Sequence, residues 1–536
     1  MLYDADSKTI IYEGDEVARA ETIPGHISRA GYCAVKATYA NLLALNEMDL
    51  DVPNPMEAYD WPSQPGTEPF GTQKLVSSFM VLNPRSFVIS DLRTGKTRAA
   101  LWAADWLMRA SARKLQCLIL SDINALEGAW SNEITSHFLG RRTFEMLHHT
   151  AEKKRLDALA KDADFYLLNH DGLRMGRPRK VVEYDAAGRP VRQIDTPATG
   201  LYAALLEKKF DIIIFDEAAT YRSTDKTTEM FKCALSLSKN APFVYLLTGT
   251  PTPNGPLDAY GLKRLCHPAW KVSKKKWRDL TTTADGPFRR KPVPAAAALV
   301  DELLQPSVRI TQDQCFTPTP LTIMDLQVKL TPAQKEATIQ LKQELSILLE
   351  GGRVDAVNQA ALRAKLIQLS CGVVYDQDHK ARFIDAAPRI EAFCELIHKI
   401  PGKIIVFAPL TSVLEMLAEK AGPSATLLTS SLSKNNKLKL LRAWQQDDTS
   451  RVLLSHPGPV ARGTDLSTAS TIIWYAPIDR TEYFIQANER INGVNQTKPR
   501  YIIRMSGCDI EAGIYDRLES NTSLQGLILK LKEMVI

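Results

Sequence analysis

The sequence predicts an α/β protein made of two doubly wound parallel-sheet lobes with a small N-terminal module. Three observations carry this. Short apolar runs recur in two series, each interleaved with longer helical patterns. Most of the runs are continuously apolar rather than alternating, as strands buried on both faces of a parallel sheet are. A stretch of different character, basic and then rich in proline and alanine, separates the two series.

Residues 1–65 read as the separate module, closed by the proline-rich DVPNP and WPSQPG. The first lobe is expected over residues 66–270. Its strands are SFVI (86–89), LQCLIL (115–120), FYLL (165–168), DIIIF (211–215) and FVYLL (243–247). Between the first two, Ala100, Ala104, Leu107 and Met108 share one helical face. An inserted hairpin is expected over 181–194, with AAGRP as its turn. Residues 271–320 read as a basic linker or insertion containing Lys271, Lys274, Lys275, Lys276 and Arg278. The second lobe, 321–536, carries GKIIVF (402–407), ATLL (425–428), RVLL (451–454), TIIWY (471–475) and YIIR (501–504). A long helix is expected from Thr331, where Thr331 and Gln334 form a capping box around Pro332. Its apolar face is Leu341, Leu345, Leu348 and Leu349, and Gly351–Gly352 ends it.

Composition narrows the function classes. With 45% hydrophobic and 24% charged residues, the chain has an ordinary globular make-up. A net charge of +6 over 536 residues agrees with a nucleic-acid partner without requiring one. Eight cysteines lie far apart with no C-x-x-C pair, which argues against a zinc site or disulfide framework and for a reducing compartment. MLYDADSKTI lacks the basic start and apolar core of a secretion signal, and no apolar run approaches the ~20 residues of a membrane span. The expectation is a cytoplasmic protein without membrane contact.

Two segments carry chemistry. SDLRTGKT (90–97) joins a buried strand to a helix. Such a junction brings backbone N–H groups, a helix N-terminus and a cation together, as a triphosphate requires. Thr94 and Gly95 line the loop, Lys96 reaches for the β- and γ-phosphates of ATP, and Thr97 offers a hydroxyl to Mg²⁺. FDEAAT (215–220) puts two carboxylates at the end of the most apolar strand, a costly arrangement without a metal or a reaction to serve. Asp216 is assigned to Mg²⁺ and Glu217 to activating the attacking water. The plainer alternative is a helix N-cap pair.

The order of further motifs resembles the Swi/Snf-like DNA translocases of helicase superfamily two, over roughly residues 66–536. PFGTQ (69–73) is similar to the adenine-reading segment, with Gln73 as reader; AWSNEI (129–134) and YLLNHDGL (166–173) are similar to later elements of the first lobe. LLTGTPTPNGPLDAYGL (246–262) is similar to the block that links ATP state to lobe movement and DNA, which implicates Thr248, Thr250 and Asn254. VKLTPAQKEA (328–337) and LRAKLIQLSCG (362–372) resemble the stretches that open the second lobe. ARGTDLSTASTIIWY (461–475) and QANERINGVNQ (486–496) resemble the last two motifs. The resemblance implies two RecA-like lobes and a DNA-dependent ATPase. It implies nucleotide contacts from Arg462 and Asp465, with Gln486 and Arg490 facing the γ-phosphate and Arg490 as arginine finger. Residues 21–45, with their I-P-G segment, faintly resemble the HARP-type module of annealing helicases.

Four positions depart from the family pattern. Arg93 stands where the phosphate loop has glycine, and Ala219 replaces the histidine of D-E-A-H. Gly493 occupies the place of a second arginine, and Asn495 that of a glycine. The missing arginine bears on the rate of hydrolysis more than on the fold. For DNA contact, the basic 271–291 stretch is either a phosphate-binding surface or a solvated loop, and the hairpin with Arg189 and Arg192 is read as decoration. The functional expectation is an ATP-hydrolysing motor on double-stranded or branched DNA in replication, recombination or fork remodelling. Its rivals are a nucleotide-gated DNA clamp with little turnover and an RNA helicase. The compact length suggests a bacterial or viral origin. Protein partners are not specified by any motif.

Overall fold

The structure is a computed structural model. It describes all residues except 5, 6, 30, 139, 150, 179, 185–189, 224–228, 285–289, 351–355, 377, 379, 430, 431, 433, 461–465, 494, 495 and 531–536. The chain forms two units that divide between Cys315 and Phe316. Each is built on an all-parallel sheet sandwiched by helices, a RecA-like pattern.

The first unit's sheet has seven strands. In spatial order they are Ser307–Ile310, Arg85–Ser90, Phe243–Thr248, Ile212–Phe215, Cys117–Ser121, Phe165–Asn169 and Phe144–Met146. The interior strands CLILS, FYLLN and IIIF are fully buried and almost wholly apolar because both of their faces are covered. Helix Lys96–Ala110 packs an alanine-rich face, Ala99, Ala100, Ala103 and Ala104, closely on the sheet, with Trp102 and Leu107 filling the layer beside it. Strand Arg85–Ser90 leads into that helix, so the 91–95 loop lies at the carboxyl edge of the sheet. This is the edge where open α/β sheets bind ligands.

In the two large parallel sheets, three of the described strands carry no clear sequence signal, and all three are sheet edges. Ser307–Ile310 is fully buried but includes Arg309, whose charge breaks the apolar run; Asp301 meets it at 2.6 Å. The stretch read as a linker therefore supplies an edge strand to the first sheet, pairing in parallel with Arg85–Ser90. Phe144–Met146 is too short to stand out, and Leu321–Gln327 is largely exposed.

Residues 2–36 form a four-stranded antiparallel sheet around Ile10, Tyr12, Cys33 and Val35, closed by helix Tyr39–Glu47, which Thr38 caps. The proline-rich 51–65 stretch then lies on the Lys96–Ala110 helix. Trp102 Nε1 donates to the Pro62 carbonyl at 3.0 Å, and the Tyr59 hydroxyl donates to Asp105 Oδ2 at 2.6 Å. Asp105 is fully buried and also meets Arg141 and Arg142, each at 2.5 Å. The hairpin strands Lys180–Tyr184 and Pro190–Asp195 pair antiparallel, and the turn assigned to AAGRP lies mostly outside the described residues.

The second unit's sheet runs Leu321–Gln327, Arg500–Ser506, Thr471–Trp474, Ile404–Phe407, Val452–Ser455, Ala425–Leu428. The capping box closes as the sequence requires: Thr331 N–H donates to Gln334 Oε1 at 3.0 Å, and Gln334 N–H donates to Thr331 Oγ1 at 3.3 Å. Gln334 is almost fully buried because its amide also donates to the Leu369 carbonyl at 2.8 Å, tying the helix to the LIQLSC stretch. The Gly351–Gly352 stop and the side chains of Leu345, Leu348 and Leu349 lie outside the described residues.

Candidate active site

The loop between strand Arg85–Ser90 and helix Lys96–Ala110 turns through two left-handed residues, Arg93 at φ 66° and Gly95 at φ 80°. A side chain at φ near +60° costs roughly 1–2 kcal/mol, so the glycine usual at the Arg93 position has a steric reason. At Gly95 the requirement is stronger, because a Cβ there would fall 1.8 Å from Gln73 Nε2. Gln73 is nearly buried; its Oε1 accepts from Phe70 N–H at 2.9 Å, and its Nε2 lies 3.5 Å from the Gly95 carbonyl. The PFGTQ segment thus packs directly against the mouth of the loop.

Lys96, the first residue of the helix, donates from Nζ to the carbonyls of Ser90 at 2.6 Å and Asp91 at 2.8 Å. The Thr94 hydroxyl donates to the same Asp91 carbonyl at 3.0 Å. Burial pulls the Lys96 ammonium below the ordinary lysine range, opposed by Glu217, Asp216 and Asp91. Thr97 follows in the first helical turn, partly exposed.

Asp216 and Glu217 leave the strand Ile212–Phe215, two places from Arg85–Ser90 in the sheet. Asp216 is held unevenly. Its Oδ2 accepts from Ser121 Oγ at 2.7 Å and from Trp130 Nε1 at 2.8 Å, whereas Oδ1 accepts from the Glu217 N–H at 3.1 Å. Sequence reading did not assign Ser121 or Trp130 to this carboxylate. Ser121 ends the neighbouring strand, and Trp130 closes a π-helical turn, Leu126–Trp130. The AWSNEI segment that contains Trp130 was the available signal. Glu217 takes a left-handed φ of 48°, and Ala219 is fully buried. Behind it, Tyr221 and His170 Nδ1 are 2.8 Å apart, joining the FDEAAT turn to the NHDGL segment.

Strand Phe243–Thr248 lies between these two strands and delivers the Thr248–Asn254 block to the same edge. A Cβ on Gly249 would lie 3.2 Å from the Ser90 carbonyl and 3.9 Å from Lys96 Nζ, so a side chain at this position would crowd the strand end and reach the phosphate-loop lysine. Thr248 and Thr250 are buried, and Thr250 N–H donates to Thr248 Oγ1 at 3.1 Å. Asn254 is exposed, with its N–H on Asp258 Oδ2 at 2.8 Å.

In the second unit, Gln486 sits on helix Thr481–Asn488, almost wholly buried, and its Oε1 has no hydrogen-bond partner among the described residues. Arg490 occupies the turn Glu489–Ile491, where its carbonyl accepts from Leu466 N–H at 3.2 Å. Gln496 is a packing residue: its amide donates to the carbonyls of Ser467, Ala469 and Ile491 at 2.9–3.0 Å. Gly493 is buried. Arg462, Asp465 and Asn495 lie outside the described residues.

A nucleoside triphosphate fits the first-unit residues. The Gly95 turn opens directly into a helix N-terminus, and Lys96 places a cation there whose hydrogen bonds go to the Ser90 and Asp91 carbonyls. A Mg²⁺ ion fits the donor chemistry of Thr97 and Asp216, hard oxygens of few protein groups, because Mg²⁺ keeps waters and phosphate oxygens in its shell.

Residues 388–492 match the helicase conserved C-terminal domain. The chain is 22% identical over 493 residues to putative protein p41 of Acyrthosiphon pisum secondary endosymbiont phage 1, covering 85% of this chain and 97% of that one. It is 25% identical over 349 residues to the chromodomain-helicase-DNA-binding protein 1-like of Danio rerio, covering 60% of this chain and only 32% of that protein. Among solved structures, the Sulfolobus solfataricus SWI2/SNF2 ATPase core in complex with dsDNA aligns over 88% of this chain and 95% of its own, at 16% identity and a TM-score of 0.39.

Proposed function

We propose that this chain, a Swi/Snf-like helicase of superfamily two, is a DNA-dependent ATPase that translocates on double-stranded or branched DNA. The observation that carries the reading is the grouping at one sheet edge of Lys96, the Asp216–Glu217 pair and Gly249 of the Thr248–Asn254 block. In this reading Lys96 leaves its carbonyl partners for the β- and γ-phosphates, and the Gly95 turn and helix N-terminus hold the phosphate chain. Thr97 and Asp216 would hold a Mg²⁺ ion, which would supply charge neutralisation at the phosphate oxygens. Ser121 and Trp130 orient Asp216 for that task by occupying Oδ2. Glu217 orients and deprotonates the attacking water. Gln73 reads the adenine, Arg490 supplies positive charge to the transferring phosphoryl group with Gln486 beside it in sequence, and Arg462 and Asp465 add nucleotide contacts. Because Gly249 follows the strand next to the phosphate loop, close to the Ser90 carbonyl, a change in phosphate occupancy would be relayed through the Thr248–Asn254 block to the DNA.

The cellular setting that goes with the phage relative is a bacterial or virus-infected cytoplasm, with work in replication, recombination or fork remodelling. Among the described residues no helix is long and apolar enough to cross a membrane.

The test is the rate of ATP hydrolysis without nucleic acid and with duplex DNA, single-stranded DNA and RNA. Stimulation is expected from duplex or branched DNA above the other arms. Strong stimulation by RNA alone would overturn the reading. One observation favours a second reading, a nucleotide-gated clamp: Gly493 brings no side chain where the family has an arginine. Tight ATP-dependent duplex binding with no stimulated turnover, restored by Gly493→Arg, would select the clamp.

A further inference from the structure

The helix Lys274–Thr281 has an unusual charge order. Ser273 caps it, its Oγ accepting from Lys276 N–H at 3.2 Å, so Lys274, Lys275 and Lys276 fill the first turn. Cations there oppose the helix macrodipole, at a cost of roughly 0.3–1 kcal/mol each. Helix stability is therefore not what places them. All three are exposed, as is Lys271 just before the cap.

The helix is nonetheless firmly seated. Trp277 is buried, and its Nε1 donates to the Pro256 carbonyl at 3.0 Å. Tyr260 reinforces the contact, donating to the Val272 carbonyl at 3.1 Å and packing edge-on against Trp270 at 5.4 Å centroid separation. Pro256 and Tyr260 belong to the 246–262 block, so the lysine-bearing helix is seated on the segment that also carries exposed Asn254. The acidic residue of the helix, Asp279, is engaged by Arg278 at 3.2 Å and Arg290 at 3.3 Å. It faces its own arginines rather than the lysine turn.

We propose that Lys271, Lys274, Lys275 and Lys276 form a phosphate-binding platform for the backbone of duplex DNA, fixed by Trp277 to the 246–262 block. The charge and its spread along an exposed turn suit a line of phosphates, and the rigid seat means that ordering the contact costs little backbone entropy. The inference rests on the DNA-motor reading and adds to it the surface that grips the duplex.

The experiment is the salt dependence of affinity for a plain duplex, comparing the parent with Lys271→Gln/Lys275→Gln/Lys276→Gln. Each lost phosphate contact lowers the slope of log K against log salt by about 0.9, so a fall of about 2–3 is expected, with weaker binding at low salt. A charge-matched control, Lys114→Gln/Lys209→Gln/Lys239→Gln, changes exposed lysines that precede strands at the opposite edge of the sheet. It should keep the parental slope. An unchanged thermal midpoint verifies that the variants are folded. If the parent binds duplex DNA and the platform variant keeps its slope, or the control loses as much, the platform is wrong and the motor reading stands. If the parent binds no duplex, both fall.

Discussion

In the proposed reaction, Lys96 and Glu217 divide the chemistry between a binder and an actor. The Lys96 ammonium is pulled below the ordinary lysine range by burial, and Glu217, Asp216 and Asp91 oppose that pull. Replacing it by alanine removes the charge that a triphosphate requires at the helix N-terminus. Lys96→Ala is expected to abolish ATP hydrolysis without unfolding the chain, because the side chain holds only two loop carbonyls. Glu217→Gln keeps shape and loses the proton acceptor, so ATP binding should persist while turnover stalls. Hydrolysis at the parental rate in either variant would show that this edge of the sheet is not the reaction centre. Lys96 and Asp216 could be found in the sequence because each follows an apolar run, which fixes both at strand ends. Trp130 and Ser121 could not be matched to Asp216 the same way. Their meeting depends on which strands are neighbours, and alternation of runs gives the strands without their spatial order.

At the scale of elements, the second unit is tied together by an ion pair in its core. Arg389 and Glu511 are almost wholly buried and meet through two contacts of 2.9 Å. The Ser370 hydroxyl and Gly507 N–H also donate to Glu511, at 2.7 and 2.6 Å, and the guanidinium reaches the carbonyls of Tyr475 and Met505. The network joins a helix from the LIQLSC stretch, helix Ala387–Lys399, two strand ends and the start of the last helix. Breaking one partner leaves a buried charge uncompensated, at a cost of about 3–5 kcal/mol. Arg389→Met should therefore lower the denaturant midpoint sharply, and Arg389→Met with Glu511→Leu should recover part of the loss. An Arg389→Met variant as stable as the parent would mean that the pair is solvated rather than buried. None of this was visible in sequence, because two charged residues more than a hundred positions apart carry no pattern. The apolar interior strands did, since burial on both faces leaves only apolar residues acceptable. Edge strands such as Leu321–Gln327 escape that rule, having one flank open.

For the whole molecule, the deciding property is how force would reach the nucleic acid. Contacts through phosphates, such as those assigned to the lysine platform, grip a backbone and carry no base-pair information. Separating a duplex costs about 1.4 kcal/mol of stacking per base-pair step, and a motor that holds only the backbone has no direct means of supplying it to the bases. A third strand lying in the groove is different, because it blocks the track and can be pushed off as the motor advances. The expected output is ATP-dependent displacement of a triplex-forming strand from a duplex, with little unwinding of a simple tailed duplex. Displacement should vanish in Lys96→Ala and weaken in Lys271→Gln/Lys275→Gln/Lys276→Gln at moderate salt. The measurement is release of a labelled third strand and, in parallel, of a labelled strand from the tailed duplex. Efficient release from the tailed duplex would mean that some element enters between the strands, and the chain would then be an unwinding helicase rather than a double-strand translocase. Failure to release the third strand despite DNA-stimulated hydrolysis would mean that hydrolysis is not coupled to movement along the duplex.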